Sequence, residues 1–378
     1  MALNLLPSFV FFGIQFCIYL SISLTLNLEY GLTGIPNFGK VLFVAAGGML
    51  GASAMYRLSL IAFNLHSTDI FESSPLYVDA KINPALAHDP ILAAGLFGFM
   101  ILFGGGVAAA LGYLASYPAI RLREDYLGML LLGCGSLFAV LTAYYPPIVG
   151  GPENLTAPNL LAGFGENDGY AMLAIVAVFA VAVFVYAQRV VKSPLGRTLK
   201  AVRDNEMAAE ALGKDTVNIR RKTLIVSSFL AGVAGALWAI NWSQIGGLIG
   251  GDVGSTFPRL LYTFFPFTIV ILGGAGNNYG VVLGAFLLTT LQTITTESIP
   301  SLVASVDIRG ININLLNDVL NSLQFLVIGG LMLVVLLWRP EGLLPEKPTY
   351  AIPKAELKKM AANAAAAAKP PSDKKDPG

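Results

Sequence analysis

The long apolar stretches of this sequence limit most strongly what the chain can fold into. A helix needs about 20 mostly apolar residues to cross the hydrocarbon core of a bilayer. We place nine candidate spans along the chain, at residues 9–28, 37–63, 91–115, 126–146, 168–191, 222–244, 256–273, 277–297 and 318–338. A backbone in lipid must satisfy its own hydrogen bonds, and an α-helix does so within one segment. The nine spans therefore predict an all-α membrane protein, a bundle of about nine (eight to ten) transmembrane helices.

The composition agrees with a membrane protein. Only 12% of the 378 residues are charged, whereas soluble domains carry about 25%. Pro258, Arg259 and Pro266 interrupt the span at 256–273, so that segment either crosses the bilayer or re-enters it. Runs such as AAGGMLGA, FGGGVAAALG and AGVAGALWA contain small residues that allow close helix approach, and they predict a tightly packed bundle.

The distribution of basic residues predicts the orientation. With the N-terminus outside, 20 of the 24 Lys and Arg residues fall inside, Lys40 among them. The four outside are Arg57, Lys81, Arg259 and Arg309. The positive-inside rule therefore predicts an outer N-terminus and an inner C-terminus. We expect a transmembrane domain over residues 1–346 and a disordered cytoplasmic tail over residues 347–378, which are rich in Lys, Pro and Ala.

Two glycine-rich stretches imitate nucleotide-binding loops. GIPNFGKV at 34–41 lacks the Ser or Thr that follows the lysine of a phosphate-binding loop, and no strand precedes it. GGAGNNYG at 273–280 has Tyr279 where a dinucleotide loop needs its third glycine, and we interpret it as a tight turn or helix break. Both lie beside apolar spans, so neither predicts a nucleotide site.

The reactive residues also argue against an enzyme. Two cysteines and two histidines show no metal-ligand spacing, and no catalytic motif appears. We therefore expect neither catalysis nor a metal, and no cofactor. Glu29 and Glu297 lie near predicted span ends, so we find no charge that marks an intramembrane site. Among the uncharged polar residues of the spans, Gln244 and Gln292 are candidates to line a solute pathway. The alternative for each is a hydrogen bond between helices.

The segment 193–215, SPLGRTLKAVRDNEMAAEALGKD, is polar and ordered in its pattern. Ser193 and Pro194 favour a helix start, and Asp204-Asn205 offers a break and a second cap. Gly213 then favours a stop. We predict two short amphipathic helices within a cytoplasmic loop at 192–221. The second has an apolar edge (Met207, Ala208, Ala211, Leu212) that the bilayer, the bundle or a protein partner must cover.

This segment resembles the cytoplasmic loop of permease subunits in branched-chain amino acid ABC transporters. GLTGIPNFG, PAIRLREDYLGMLLLG and IVGGPENLT upstream are similar to the same family, as are SSFLAGVAGALWA, IVILGGAGNNYGVVLGAFLL and RPEGLLPEK downstream. The resemblance covers roughly residues 20–346. In ABC importers this loop carries E-A-A-x3-G-x9-I-x-L-P. Aligning Gly213 with its glycine leaves Glu206 one place early, and the second half of the motif is absent at 223–226.

The resemblance implies a permease subunit of an ABC importer for branched-chain or other small amino acids, multi-pass in the cell membrane. The alternatives are a urea or short-amide permease, or a secondary carrier that needs no ATPase. It also implies two cytoplasmic ATPase subunits, a second homologous permease and an extracytoplasmic solute-binding protein as partners, besides the lipid bilayer and without nucleic acid. The implied ATPase-coupling residues are Gly196, Arg197, Arg203, Asn205, Glu206, Ala208, Ala209, Leu212 and Gly213.

Overall fold

The computed structural model describes residues 5–63, 78–122, 124–149, 155–242, 244–245 and 256–295, with short stretches between 326 and 346. The chain divides into two units, residues 1–345 and 346–378. Residues 347–378, predicted as a tail, lie outside the described residues, as do most of the predicted span at 318–338 and all of Glu297 and Arg309.

The described residues form an almost entirely helical bundle, as the apolar stretches predict. Its helices are α1 (Leu5–Leu26), α2 (Lys40–Ala62), α3 (Asn83–His88), α4 (Pro90–Arg121), α5 (Glu124–Tyr144), α6 (Pro146–Val149), α7 (Asp168–Lys192), α8 (Pro194–Asp204), α9 (Glu206–Ala211), α10 (Thr216–Trp242), α11 (Phe265–Gly273) and α12 (Asn278–Thr293). The strands β1 (Leu155–Thr156) and β2 (Gln244–Ile245) form one short antiparallel pair.

Wider π-helical turns and one 3-10 turn extend or connect these helices. They are the π turns Asn27–Gly31, Val78–Ile82 and Leu260–Phe264 and the 3-10 turn Ala162–Asn167. The first of them continues α1 without a break. π turns often occur at functional sites, and the turn at Asn27–Gly31 is the one that bears on the candidate site below.

Six of the described helices are long and apolar enough to cross a membrane, namely α1, α2, α4, α5, α7 and α10 with their immediate extensions. They correspond to the first six predicted spans. The seventh predicted span is different, because its helical part, Leu260–Gly273, has a length of only about 21 Å against a core of about 30 Å. The total of nine spans and the N-out orientation stay predictions.

The centre of the bundle is a close-packed group of α2, α4 and α10. A Cβ added at Gly47 of α2 would lie 2.3 Å from the carbonyl oxygen of Gly232 in α10, and one at Gly104 of α4 would lie 2.5 Å from that of Gly47. The backbones therefore touch where only hydrogen fits. The three glycine-rich runs that predicted close packing are the runs that meet here, and that prediction is confirmed.

The stretch at 273–280 is a tight turn, as predicted. Gly274 and Gly276 have positive φ values of 112° and 82°, a conformation that side-chain-bearing residues rarely adopt. Asn277 caps α12 by accepting a hydrogen bond from the Tyr279 amide at 3.1 Å. The turn folds α12 back against α11.

Candidate functional site: a helical hairpin tied to a buried charge network

The segment 193–215 folds into the two predicted short helices, α8 and α9. The Ser193 hydroxyl accepts a hydrogen bond from the Gly196 amide at 3.3 Å, and the Asn205 side chain accepts one from the Ala208 amide at 3.0 Å. Both are N-cap interactions, which satisfy amides that the first helical turn leaves unpaired. We call α8, α9 and their flanking residues 193–215 the coupling segment.

Gly213 ends α9 as predicted. Its φ is 75°, its amide donates to the Glu210 carbonyl at 2.8 Å, and the Lys214 amide donates to the Ala209 carbonyl at 3.1 Å. This pair of bonds is the Schellman arrangement, in which a left-handed residue turns the chain away from the helix axis. The local sequence pattern therefore predicted both ends of α9 correctly.

Gly196 has a packing role rather than a conformational one. A Cβ at this position would lie 2.3 Å from the Val190 carbonyl oxygen and 2.6 Å from that of Val191. The glycine lets the first turn of α8 lie directly against the last turn of α7. Leu199 and Val202, farther along α8, are buried, so α8 is anchored to the bundle by one side.

The apolar edge of α9 is not covered by the bundle. Met207 and Leu212 are each 81% exposed, and Ala208 and Ala211 are exposed as well. Only Ala209 of this helix is buried, at 3% exposure. Of the three possible covers for the apolar edge, the described part of the bundle is therefore excluded, which leaves the bilayer or a partner protein.

Two charged residues of the coupling segment, Arg203 and Glu206, bond to the bundle. Arg203 donates from Nη1 to the Gly31 carbonyl in the π turn that ends α1, and from Nε to Asp204 at 3.1 Å. Glu206 forms a 3.0 Å ion pair with Arg220 at the start of α10. Arg197 is exposed. Arg203 and Glu206 thus join the coupling segment to α1 and α10.

Behind Gly31 lies a buried charge network that the sequence interpretation missed. Glu29 accepts hydrogen bonds from Lys40 Nζ at 3.1 Å and from Asn37 Nδ2 at 3.0 Å. The Ser227 hydroxyl of α10 donates to the other carboxylate oxygen of Glu29. All four side chains are fully buried. We call Glu29, Asn37, Lys40 and Ser227 the buried network.

The expectation that no charge marks the interior of the spans is corrected by this network. Glu29 lies near the end of its apolar run but is fully buried, and Lys40, which the orientation count places on the inner side, is fully buried as well. The two residues lie 11 apart, on either side of a Gly- and Pro-containing connection. The pairing of Glu29 with Lys40 could have been predicted from the sequence, because opposite charges at the two ends of a short turn are brought together by that turn.

Two basic residues that the charge count assigned to the outer side bond to α5 or to the turn beyond it. Arg259 Nη1 donates to the Ser136 hydroxyl at 2.7 Å, and Ser136 lies near the middle of α5. Arg57 Nη2 donates to the Pro147 carbonyl beyond the end of α5. The side of the membrane on which each residue lies stays a prediction.

The two candidate pathway residues lie in different settings. The prediction that Gln244 lies inside a span was wrong, because α10 ends at Trp242 and Gln244 pairs with Thr156 in the β1–β2 ladder. Gln292 is a residue of α12 with 4% exposure. Gln244 therefore lies in a strand and Gln292 in a helix.

Gln292 belongs to a polar seam between α1 and α12. The α1 side of the seam follows a four-residue spacing, which keeps its members on one helix face. Its members on that face are Gln15, Tyr19, Ser23 and Asn27, all at most 7% exposed. Asn27 donates to Asn278 at 2.9 Å, and the Tyr19 hydroxyl has hydrogen-bond contacts with Gln15 and Gln292. In this conformation the seam is closed.

Comparison with known proteins identifies the family. A family model described as "Branched-chain amino acid transport system / permease component" matches residues 8–336. The "Probable branched-chain amino acid transport permease protein LivM" of Methanocaldococcus jannaschii is 32% identical over 342 residues, which are 89% of this chain and 93% of that protein.

More distant relatives match shorter parts. The "High-affinity branched-chain amino acid transport system permease protein LivM" of Salmonella typhimurium is 29% identical over 64% of this chain and 56% of its own length. The "Autoinducer 2 import system permease protein LsrC" of Photorhabdus laumondii is 36% identical over 27% of this chain and 30% of its own length. With the family match over most of its length and six apolar helices, this multi-pass membrane protein belongs to the branched-chain amino acid transport permease family.

Proposed function

We propose that this chain is the permease subunit of an ABC importer that carries branched-chain or other small amino acids, with ATP hydrolysed by separate subunits. The observation that carries the proposal is the uncovered apolar edge of α9. Two large apolar side chains, Met207 and Leu212, stand exposed on a helix that is capped at both ends. A short rigid helix with an apolar edge suits a groove on a partner protein.

The contacts of the coupling segment supply a route for force. A displacement of α9 would act on α10 through the Glu206–Arg220 ion pair and on the end of α1 through Arg203 and Gly31. From there the buried network joins α1, the start of α2 and α10. Closure of two docked ATPases would therefore move the helices together and open the path, for which the seam beside Gln292 is the candidate.

The partner set follows from the same proposal. We propose two ATPase subunits on the coupling segments, a second homologous permease beside this one and an extracytoplasmic binding protein that delivers the solute. Branched-chain amino acids are the preferred solutes because the 32% identical relative is described with that solute. A short relative is described as an autoinducer 2 permease, so solute choice within such permeases varies.

The buried network is one observation in favour of the alternative function, an ATPase-independent carrier, since such carriers use intramembrane charges. Here, however, the Glu29 carboxylate is held by three donors, an arrangement that favours a structural charge over one that binds and releases an ion. We therefore place the network in force transmission. Uptake without ATP would decide for the carrier.

The test uses the proposed complex of this chain with two ATPase subunits and a second permease from the same organism, reconstituted in proteoliposomes with the binding protein. We expect leucine uptake that depends on ATP and exceeds urea uptake. Met207→Ser combined with Leu212→Ser should reduce ATPase co-purification and uptake at least tenfold. Gly213→Pro and Ala209→Asp should also uncouple ATP hydrolysis from uptake while the chain still inserts.

Lys214→Ser is the matched control, because Lys214 is exposed beside Gly213 but lies off the apolar edge. It should keep at least half of the wild-type uptake. Wild-type uptake by the Met207→Ser, Leu212→Ser variant would contradict docking at α9. Faster urea than leucine uptake would support the urea permease instead.

A further inference from the structure

A cleft between the end of α7 and the start of α12 combines positive charge with an aromatic wall. Its volume is about 410 Å³, and its lining includes Phe184, Gln188, Arg189, Lys192 and Tyr279. The rings of Phe184 and Tyr279 meet edge to face at 5.6 Å. No carboxylate is among the described residues that line the cleft.

The cleft lies on the end of the bundle that carries the coupling segment. Arg189 and Lys192 occupy the last turn of α7, an apolar helix long enough to span the bilayer, and Ser193 begins the coupling segment directly after them. Tyr279 is 57% exposed, and the next outward positions of α12, Leu283 and Phe286, are exposed as well. Such a surface faces lipid tails on one side and headgroups on the other.

We infer that this cleft binds the phosphate headgroup of an anionic phospholipid from the leaflet at that end of the bundle. Arg189 and Lys192 supply charge-assisted donors for a phosphate, and Gln188 adds an amide donor. The aromatic wall accommodates the glycerol and the first methylenes of an acyl chain. Basic pockets between transmembrane helices are suited to such headgroups, since the apolar walls bind the chains that a free anion lacks.

Charge complementarity distinguishes this cleft from the neighbouring one between α7, α8 and α10. That groove includes Lys222, but Asp215 also lines it, so an anion there meets a carboxylate. In the cleft at Arg189 both charged side chains are cations. A lipid held there would contact Ser193, the N-cap residue of α8.

The test measures lipid binding to the purified full chain in detergent by native mass spectrometry and thermal shift. We expect phosphatidylglycerol to bind at least fivefold more tightly than phosphatidylcholine. Arg189→Gln combined with Lys192→Gln should abolish this preference, whereas the charge-conserving Arg189→Lys with Lys192→Arg should keep it. Arg197→Gln with Lys214→Gln, which removes two exposed charges elsewhere, should also keep it.

Three outcomes would overturn the inference. The first is an unchanged phosphatidylglycerol preference in the Arg189→Gln, Lys192→Gln variant. The second is an equal thermal shift from millimolar inorganic phosphate, which would identify a free anion as the ligand. The third is loss of lipid binding on adding the partner permease or ATPases, which would identify the cleft as a protein interface. If Arg189→Gln, Lys192→Gln does not fold, Tyr279→Ala, with its ring already exposed, serves instead and should weaken binding two- to threefold.

Discussion

Two ion pairs in this protein have nearly the same length and opposite surroundings. Lys40 and Glu29 meet at 3.1 Å with both side chains fully buried. Arg220 and Glu206 meet at 3.0 Å with side-chain exposures of 14% and 37%. Removing one partner of a buried pair leaves a charge without water, whereas solvent partly reaches both members of the second pair.

The comparison teaches that the two ends of the proposed force route differ in burial. The buried network joins α1, α2 and α10 through a carboxylate with three donors. Helix α9 is tied to α10 by the Glu206–Arg220 pair, which solvent partly reaches, and it leaves apolar surface open. Under the proposed function, a partner would bind the open surface of α9 and the buried network would transmit its motion.

The largest effect should come from breaking the buried pair. Glu29→Ala leaves the Lys40 ammonium buried without its counter-charge, and we expect a loss of about 3–5 kcal/mol in the free energy of unfolding. Thermal unfolding of the purified chain, followed by tryptophan fluorescence, measures it. Glu206→Ala is the matched change at the partly exposed pair and should cost less than Glu29→Ala, about 1 kcal/mol, because solvent partly reaches both side chains. Equal losses would show that burial does not separate the two pairs.

A second, smaller effect tests the junction of α7 and α8. Gly196→Ala places a methyl group against the Val190 and Val191 carbonyls, and overpacking of this kind costs about 1–3 kcal/mol. Gly133→Ala in α5 is the control, since no atom lies within 4 Å of its added Cβ and alanine favours helices. If Gly196→Ala unfolds no earlier than Gly133→Ala, α8 is not tightly docked.

The Asn205 cap should contribute less to stability than the Gly196 packing does. Asn205→Ala removes the acceptor of the Ala208 amide, a change that costs about 0.5–2 kcal/mol of helix stability. Because α9 is mostly exposed, the loss should appear as faster amide hydrogen exchange in residues 206–211 with little change in global unfolding. Unchanged exchange in these amides would mean that the cap does not hold α9.

The smallest effect concerns pH at the start of α10. Hydrogen bonds from the Asn218 amide and side chain, with the nearby positive charges of Arg221 and Lys222, hold the pKa of Asp215 below its ordinary value. Since the folded pKa is depressed, the stabilisation is present above the ordinary pKa of about 3.9 and is lost as pH falls through the lower folded value.

Hydrogen exchange of the Asn218 amide should reveal this loss. Its protection in the wild type, taken relative to Asp215→Asn, should decline as the pH is lowered from about 5 to about 2, through the depressed pKa of Asp215. A ratio that stays constant over this range would contradict a charged cap at Asp215.

Much of the fold and of the coupling segment could be predicted from local pattern. Apolar length predicted six helices that the structure confirms, because spanning a bilayer depends on composition over about 20 residues. The caps at Ser193 and Asn205 and the stop at Gly213 were predictable, because each acts on amides or dihedrals within a few residues. By contrast, Gln244 was misplaced, because local hydropathy does not report the residue at which a span ends.

The sequence by itself determined the class of the protein, its six long helices, the two short ones and the glycines at which helices could touch. Only the tertiary structure decided that Glu29 and Lys40 meet and that Ser227, 198 positions from Glu29, joins them. It also decided that Arg203 turns inward while Met207 and Leu212 stay uncovered. The physical reason is range: caps and spans depend on neighbours in the chain, whereas a buried charge depends on which distant donors the packing brings to it.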